Sequence, residues 1–427
     1  MLDIKLVREN PNLIKENIKK KFQHDKVKIV DNLIKKDNEW RELKQQLDLL
    51  RAERNKISEG INLAKKQNDN QRAKELIKKA KDLPNKITEL NEKEKILESE
   101  IKGLMFQIPN IISKKTPIGK GEANNKVIRK VGVIPKFSFP IKNHVELGES
   151  LKVLDFDSSA KTSGNGFYYL KGDLALLNQA LIRFTIDYMK KKKYVYIEPP
   201  LMVNKRVEEA KGDFEAFEKA LYKIENEDLF MIPTSEDSIL GMLSDKTISE
   251  EDLPLKFFSY TMCFRKEIGS HGINEKGLWR THQFNKIEQF IFCKPEDSEK
   301  YYDELLKNSE EILKALKLPY RILEMCSSEL ADWKYRSADL EVYRPTTKEY
   351  GELMSLSNCT DYQARKLNIK CYDKKDNKRV VHTLNNTALA TSRALVVIME
   401  NYQQKDGSIK VPLVLQKYTG FKRILKQ

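Results

Sequence analysis

Residues 257–292 concentrate side chains that could bind a nucleotide. Among its side chains are two arginines, two glutamates and an aromatic ring that could share one site, namely Arg265, Arg280, Glu267, Glu288 and Phe284. Arginine can contact phosphate oxygens through two parallel N–H groups, and an aromatic ring can stack on a base. These residue types therefore favour a site for a nucleoside triphosphate.

The pattern around these residues predicts two strands joined by a polar loop. The loop contains glycines that can supply positive φ and close backbone approach, namely Gly269, Gly272 and Gly277. Side chains alternate between the two faces of a strand. We therefore expect Arg265 and Glu267 to share one face, and Phe284, Lys286 and Glu288 to share one face.

A further arginine lies inside an apolar segment near the C-terminus. Residues 388–399 read ALATSRALVVIM, in which Arg393 is surrounded by small and apolar side chains. A buried unpaired guanidinium is costly, so Arg393 must meet an anion or a solvated cleft.

The elements that position these residues belong to two regions. Residues 141–427 carry strand patterns that do not alternate regularly with helices, which indicates an α+β domain with an antiparallel sheet. No Rossmann or Walker phosphate loop is present. Residues 107–140 are rich in Pro, Gly, Asn and Lys, which predicts a linker and a mobile loop. Residues 1–106 read as a separate helical domain.

The helical domain carries two apolar heptad runs, over about residues 28–106. The first comprises Trp40, Leu43, Leu47, Leu50, Ile57, Ile61 and Ala64, with Arg54 in one slot. The second comprises Leu76, Ala80, Leu83, Ile87, Leu90, Leu97, Ile101 and Leu104, with Glu94 in one slot. The polar residues between them predict an antiparallel coiled-coil hairpin, with a kink or interruption at Pro84.

The end of this hairpin is basic. Residues 61–80 hold two acids, Asp69 and Glu75, against six cations, namely Lys65, Lys66, Arg72, Lys74, Lys78 and Lys79. Such a cluster is either a solvated charged face or a surface for an RNA backbone, which proteins contact by shape and phosphate charge. Both interpretations stay open at this point.

Composition limits the class of protein. The formal net charge of +15 favours a polyanionic partner such as nucleic acid, although lysine-rich proteomes also produce basic proteins without one. No apolar run approaches membrane length, and residues 1–10 do not resemble a secretory signal. Five scattered cysteines in no metal-ligand spacing predict reduced thiols in a cytoplasmic protein and no zinc site.

Several segments together resemble one enzyme family. FRKEIG followed by GLWRTHQFNKIEQ is similar to motif 2 of class II aminoacyl-tRNA synthetases. The helix and strand around YVYIEPPLMV resemble motif 1, and HTLNNTALATSRALVVIMENYQ resembles motif 3. In detail, the chain resembles seryl-tRNA synthetases, and its Thr-Ser-Glu and Asn-Asn-Thr variants look archaeal.

The resemblance implies a class II catalytic domain behind a tRNA-binding coiled-coil arm. It implies activation of L-serine with ATP and Mg²⁺ to seryl-adenylate, then transfer to tRNA(Ser), with tRNA(Sec) left open as a second substrate. Motif 1 implies a homodimer with tRNA bound across subunits. The basic hairpin end would contact the tRNA.

The resemblance also assigns roles to residues. For ATP it implies Arg265, Lys266, Glu267, Arg280, Phe284, Glu352, Ser355 and Arg393, of which Arg265, Glu352 and Arg393 would be catalytic. For serine it implies Thr234, Ser235, Glu236, Arg265, Glu288, Asn385 and Thr387. Glu352 and Ser355 would hold the magnesium ion.

Simpler interpretations exist for most of these residues. Thr234-Ser235-Glu236 is also a helix-capping sequence, Phe284 could be a core residue, and Glu288 could pair with a lysine across strands. Two other functions stay open: a paralogous ligase that charges a carrier protein, and a non-catalytic coiled-coil protein that binds RNA. The first lacks a long arm, and the second would have lost motif residues.

Overall fold

The computed structural model describes residues 1–212, 214–267, 276–373, 375 and 377–426. Two compact units divide the chain. One comprises Leu2–Lys19 and Gln23–Ile108, and the other comprises Met1, Lys20–Phe22 and Pro109–Gln427. The domain boundaries at 106 and 140 stay predictions. Among the described residues, no helix combines the length and apolar character needed to cross a membrane.

The helical unit is built from two short helices and a hairpin of longer ones. Its elements are α1 Ile4–Glu9, α2 Pro11–Lys20, α3 Val27–Lys66, α4 Asn70–Ala80 and α5 Leu83–Gln107.

The larger unit is α+β. Its helices are α6 His144–Ser150, α7 Phe156–Ser163, α8 Gly172–Lys191, α9 Lys205–Glu208, α10 Phe214–Phe217, α11 Ser235–Met242, α12 Ser298–Ala315, α13 Tyr362–Lys366, α14 Thr391–Tyr402 and α15 Gln416–Thr419. Its strands are β1 Lys126–Val131, β2 Leu154–Asp155, β3 Tyr169–Leu170, β4 Val195–Tyr196, β5 Met202–Val203, β6 Phe230–Met231, β7 Thr247–Ser249, β8 Leu255–Phe264, β9 Gln283–Cys293, β10 Tyr320–Glu324, β11 Arg336–Arg344, β12 Glu349–Thr360, β13 Lys370–Tyr372, β14 Lys378–Val380, β15 His382–Ala390, β16 Ile409–Lys410 and β17 Arg423–Ile424.

The predicted antiparallel hairpin is present. The apolar seam positions of α3, α4 and α5 are buried or half-buried, and only the slot of Arg54 is exposed among the predicted seam residues. Polar contacts join α3 and α5: Lys36 Nζ lies 2.6 Å from Glu100 Oε2, and Arg51 Nη2 donates to Asn91 Oδ1 at 2.8 Å. The residue numbers at these contacts rise along α3 and fall along α5, as antiparallel pairing requires.

The expected interruption at Pro84 is also present. The second limb is divided, because α4 ends at Ala80 and α5 begins at Leu83, which places Pro84 in the first turn of α5. Proline is tolerated in a first turn because its missing N–H would have no helical partner there.

An eight-stranded sheet organises the larger unit. The strand order is β1-β10-β11-β12-β15-β9-β8-β4. Neighbours pair antiparallel, except that β4 runs parallel to β8. The arrangement confirms the α+β class with an antiparallel sheet and excludes a doubly wound fold.

One face of the sheet is covered by helices. Apolar side chains of α8, α12 and α14 form one continuous core with those of the central strands. Buried amides attach the strands to α12: Asn386 Nδ2 donates to Leu305 O at 2.9 Å, and Gln289 Nε2 donates to the same oxygen at 3.3 Å. Because strand residues alternate, Asn385 and Thr387 face the other side.

The predicted linker contributes to this sheet. Residues 126–131 form β1, which pairs antiparallel with β10 at the sheet edge. The interpretation of 107–140 as linker and loop throughout was therefore wrong for this stretch. The signal in KVIRKV is short, and flanking residues of loop character obscured it.

Candidate active site

The other face of the sheet, part of which packs on α11 and α13, carries a cavity of about 450 Å³. Residues of β8, β9, β12, β15 and their connections line it, and most of the predicted site residues are among them. These are Thr234, Glu236, Arg265, Glu267, Arg280, Phe284, Glu288, Glu352, Ser355, Asn385, Thr387 and Arg393. Side chains assigned separately to ATP and to serine therefore share one space.

Two predicted residues do not line the cavity. The ammonium of Lys266 lies over the ring of Tyr222, 5.7 Å from its centroid, and its backbone N–H donates to Ala220 O. Ser235 is fully buried in the first turn of α11. Both stand next to lining residues in the sequence, but the local backbone turns their side chains away.

Arg265 and Arg393 approach the same carboxylate. Arg393 Nη1 lies 3.1 Å from Glu352 Oε2 and also donates to Glu352 O at 2.7 Å. Burial raises the pKa of Glu352, but the charge and hydrogen bond of Arg393, with the charge of Arg265, hold that pKa below its usual value. Two arginines from distant parts of the sequence thus create a local site for anions.

The aromatic platform lies beside Arg265. The Arg265 guanidinium is 5.2 Å from the centroid of the Phe284 ring, and its Nη2 donates to Pro233 O at 3.4 Å. Phe284 is half-buried and lines the cavity, so one face of its ring can accept a base. Core packing alone therefore does not account for Phe284, because its ring also faces the cavity.

Glu267 departs from the expected strand alternation. β8 ends at Phe264, and Glu267 has φ +48, which is the left-handed region. Glu267 nevertheless lies 3.4 Å from Arg280 Nη1 and lines the cavity. Of the loop glycines, Gly269 and Gly272 lie outside the described residues. Gly277 has no positive φ, and it allows close backbone approach instead, because an added Cβ would lie 3.0 Å from His144 Nε2.

The alternation predicted for the second strand is correct. Phe284, Lys286 and Glu288 all line the cavity. Lys286 Nζ lies 2.5 Å from Glu288 Oε2 and donates to Thr234 Oγ1 at 2.6 Å, and the Thr234 hydroxyl donates to Glu288. Thr234 also caps α11 by accepting from the Glu236 N–H, so the capping interpretation is correct as well. Sequence reasoning did not assign Lys286 to the site.

A second buried network holds Glu236. Gln363 Nε2 donates to Glu236 Oε1 at 2.5 Å. Lys211 Nζ lies 2.5 Å from Asp237 Oδ1 and 3.2 Å from Glu208 Oε2. Burial raises the pKa of Glu236; the charge of Lys211 opposes this shift, and nearby Glu288 adds to it.

Sequence reasoning also missed Lys211, Asp237 and Gln363. Burial lowers the pKa of Lys211, but Asp237, Glu208 and Glu236 more than reverse the effect and leave it above its usual value. An acid next to Thr-Ser-Glu was the only local signal for Asp237. Nothing in the spacing links Lys211 or Gln363 to the site.

The metal assignment concerns the β11–β12 edge of the cavity. Glu352 and Ser355 line it, and Asp339 lies opposite Ser355 in the strand register. Burial and the neighbouring Glu352 raise the pKa of Asp339 to about 7. Among the described residues, no group of three acids, histidines or cysteines could hold a metal. A cation at this edge would need oxygen ligands from a substrate or water.

The predicted tRNA-contacting residues lie in the helical unit. Lys65 and Lys66 end α3, and Arg72, Lys74, Lys78 and Lys79 belong to α4. All six are exposed. Exposure is compatible with either interpretation of this cluster.

Comparison with known proteins gives consistent matches. Residues 1–112 match the seryl-tRNA synthetase N-terminal domain, and residues 217–402 match the tRNA synthetase class II core domain (G, H, P, S and T). The serine–tRNA ligase of Methanospirillum hungatei is 43% identical over 427 residues, which is all of both chains. That of Pyrococcus horikoshii is 41% identical over all of this chain and 98% of its own.

Solved structures agree with these matches. The match to the seryl-tRNA synthetase of Pyrococcus horikoshii in complex with ATP covers both chains fully, with 40% identity and a TM-score of 0.94. The cytoplasmic serine–tRNA ligase of Naegleria fowleri in complex with AMP has 34% identity and a TM-score of 0.88, over all of this chain and 99% of its own.

Proposed function

The chain belongs to the serine–tRNA ligase family of class II synthetases, and we propose that it activates L-serine with ATP and transfers it to tRNA(Ser). The observation that carries the proposal is the convergence of Arg265 and Arg393 on one cavity that also holds buried acids. One end of that cavity suits a polyphosphate, and the other suits an amino acid.

ATP occupies the arginine end in this proposal. Arg265 contacts the α-phosphate, Arg280 and Arg393 contact the remaining phosphates, and the base stacks on Phe284. Glu267 contacts the adenine. Guanidinium groups suit these oxygens because they bind bidentately and stay charged. Lys266 is not part of this set, because its ammonium points to Tyr222.

Serine occupies the acidic end. Glu236 and Glu288 face its ammonium group, while Asn385 and Thr387 face its hydroxyl. Around this end, the described acids Glu208, Glu236, Asp237 and Glu288 outnumber the cations Lys211 and Lys286 by two, so one further ammonium offsets part of the excess of acids. A polar pocket of this kind rejects an amino acid that lacks the hydroxyl.

The chemistry needs positioning and charge stabilisation rather than a protein nucleophile. A carboxylate oxygen of serine bonds to the α-phosphorus, the bond to the bridging oxygen breaks, and pyrophosphate leaves with the electron pair. The terminal ribose hydroxyl of the tRNA then bonds to the carbonyl carbon, its proton is released, and AMP leaves. Arg265 stabilises the charge that develops at the α-phosphate.

Mg²⁺ fits the edge formed by Glu352 and Ser355. Carboxylate and hydroxyl oxygens suit this ion, which usually shares its ligands with substrate phosphates and water. Burial and repulsion from Glu352 raise the pKa of Asp339, and a cation bound here would relieve that repulsion. When bound, the ion would neutralise phosphate charge.

A direct test is ATP–pyrophosphate exchange with each amino acid in turn. We expect exchange with serine alone, followed by serine attachment to tRNA(Ser) in a separate charging assay. Exchange without tRNA charging would favour the carrier-protein ligase, and no exchange with any amino acid would favour the non-catalytic RNA-binding protein. The same charging assay with tRNA(Sec) decides whether that tRNA is a second substrate.

The basic end of the hairpin gives a separate prediction. Replacing Lys65, Lys66, Arg72, Lys74, Lys78 and Lys79 with glutamine should lower kcat/KM for tRNA(Ser) about 100-fold or more at moderate salt, because phosphate contacts contribute strongly to affinity. Serine-dependent exchange should stay unchanged.

The control for this variant replaces six exposed lysines elsewhere on the helical unit with glutamine, namely Lys5, Lys19, Lys28, Lys35, Lys44 and Lys95. Equal loss of charging in the control, or equal loss of exchange and charging in the variant, would contradict a role in tRNA binding.

The family also supports a homodimer with tRNA across subunits, and a cytoplasmic location. Motif 1, comprising α8 and β4, exposes Leu176 and Val195, which a partner subunit would cover. Sedimentation at twice the mass of the chain would agree with this, and a monomer at micromolar concentration would contradict it.

A further inference from the structure

Residues 277–281 lead into β9 and carry three cavity-lining residues, Trp279, Arg280 and Thr281. One buried contact holds the backbone of this segment. The Leu278 N–H donates to His144 Nε2 at 3.1 Å, and both residues are buried. Gly277 keeps its backbone against the imidazole, because a Cβ there would lie 3.0 Å from Nε2.

The other nitrogen of this imidazole faces a buried acid. His144 Nδ1 lies 3.3 Å from Glu400 Oε1, and Glu400 belongs to α14 with no exposed surface. The same carboxylate accepts from Arg344 Nη2 at 3.0 Å and from Thr346 Oγ1 at 2.7 Å. Because Nε2 accepts the Leu278 N–H, Nδ1 carries the proton and donates to Glu400.

Glu400 connects this contact to the arginines around Trp279. The guanidinium groups of Arg344 and Arg393 lie 4.6 and 5.3 Å from the Trp279 ring centroid. Arg393 Nε also donates to Trp279 O at 3.2 Å. Gly351 leaves room for the indole, since a Cβ would lie 2.3 Å from the ring. Arg393 is thus held by the same segment that His144 holds.

We propose that His144 is a positioning residue for the nucleotide, acting through the Leu278 amide to fix the segment that carries Trp279 and Arg280 and that orients Arg393. This inference rests on the proposed function, because it takes Arg280 and Arg393 as phosphate contacts. His144 itself does not line the cavity and is assigned no contact with ATP.

Two variants test the contacts of the two ring nitrogens one at a time. In His144→Gln, the side-chain oxygen reaches the position of Nε2 and can still accept the Leu278 N–H, but the contact with Glu400 is lost. In His144→Asn, the amide reaches the position of Nδ1 and keeps the contact with Glu400, while the buried Leu278 N–H loses its acceptor. His24→Asn, on an exposed histidine, is the matched control.

ATP affinity is measured by calorimetric titration with ATP alone, and the KM for serine by the exchange assay. We expect His144→Asn to raise the Kd for ATP about tenfold, as loss of one buried acceptor implies. We expect His144→Gln to stay within about threefold of the parent protein, His24→Asn to leave the Kd unchanged, and the KM for serine to change less than twofold throughout.

Equal ATP affinities of the two His144 variants would overturn the proposal, as would equal losses for ATP and serine. If the parent protein binds ATP but shows no exchange, the proposed function fails while the titrations still decide this inference. If the parent does not bind ATP, both fail.

If His144→Asn does not fold, amide hydrogen exchange in the parent protein decides instead. The Leu278 amide must be protected before ATP is added, and rapid exchange there would overturn the proposal.

Discussion

Replacing Arg265 with alanine is expected to lower serine-dependent ATP–pyrophosphate exchange by about 10³-fold or more. The magnitude follows from loss of a guanidinium that stabilises charge developing on a transferred phosphoryl group. The Arg265 side chain is exposed to the cleft and, among the described residues, donates one long hydrogen bond, to Pro233 O at 3.4 Å. The free energy of unfolding should therefore change by less than about 0.5 kcal/mol.

Exchange rates and thermal unfolding are measured on the same preparations. Arg206→Ala is the matched control, because Arg206 is also exposed and pairs with Asp245 outside the cavity. Arg265→Lys should recover only part of the activity, since an ammonium cannot bind bidentately. Exchange retained in the alanine variant would remove the central argument for this site.

Replacing Thr387 with valine is expected to lower the preference for serine over alanine by about 100-fold or more. Valine keeps the shape of threonine and removes the hydroxyl. A pocket built around a substrate hydroxyl discriminates strongly, because its polar groups stay unpaired with the analogue. Thr387 is 7% exposed, lines the cavity and lies opposite Glu288 in the strand register.

The measurement is kcat/KM for exchange with serine and with alanine. Thr185→Val is the control, because Thr185 is fully buried in α8 and its hydroxyl donates to Leu181 O. That variant should keep the serine preference even if it is less stable. Thr387→Ser should retain much of the preference. If Thr387→Val keeps the preference for serine, groups other than Thr387 recognise the serine hydroxyl.

The parts of the site that sequence could predict are those with a local cause. Arg393 was conspicuous because an arginine in an apolar helix needs an anion or a cleft, and it does line the cavity. The shared face of Phe284, Lys286 and Glu288 followed from strand alternation. The heptad runs likewise predicted the hairpin, since coiled-coil packing depends on a regular local repeat.

The features that the sequence pattern did not predict depend on long-range packing or on an unusual local backbone conformation. Lys211 and Gln363 lie far from Glu236 in the chain, and only the fold brings them to it. Glu267 adopts φ +48, so alternation could not predict its direction. Ser235 and Lys266 belong to the expected motifs, but their side chains do not line the cavity. β1 was too short to stand out from its flanks.

The division of the second hairpin limb between Ala80 and Leu83 has a mechanical consequence. α3 is an uninterrupted helix of 40 residues, whereas the limb packed against it is made of two pieces. Bending stress on the hairpin concentrates where the helical ladder is already broken, because flexing there sacrifices the fewest backbone hydrogen bonds. The proposed contact of the basic end with tRNA would therefore be accommodated by bending at this break, while α3 stays continuous.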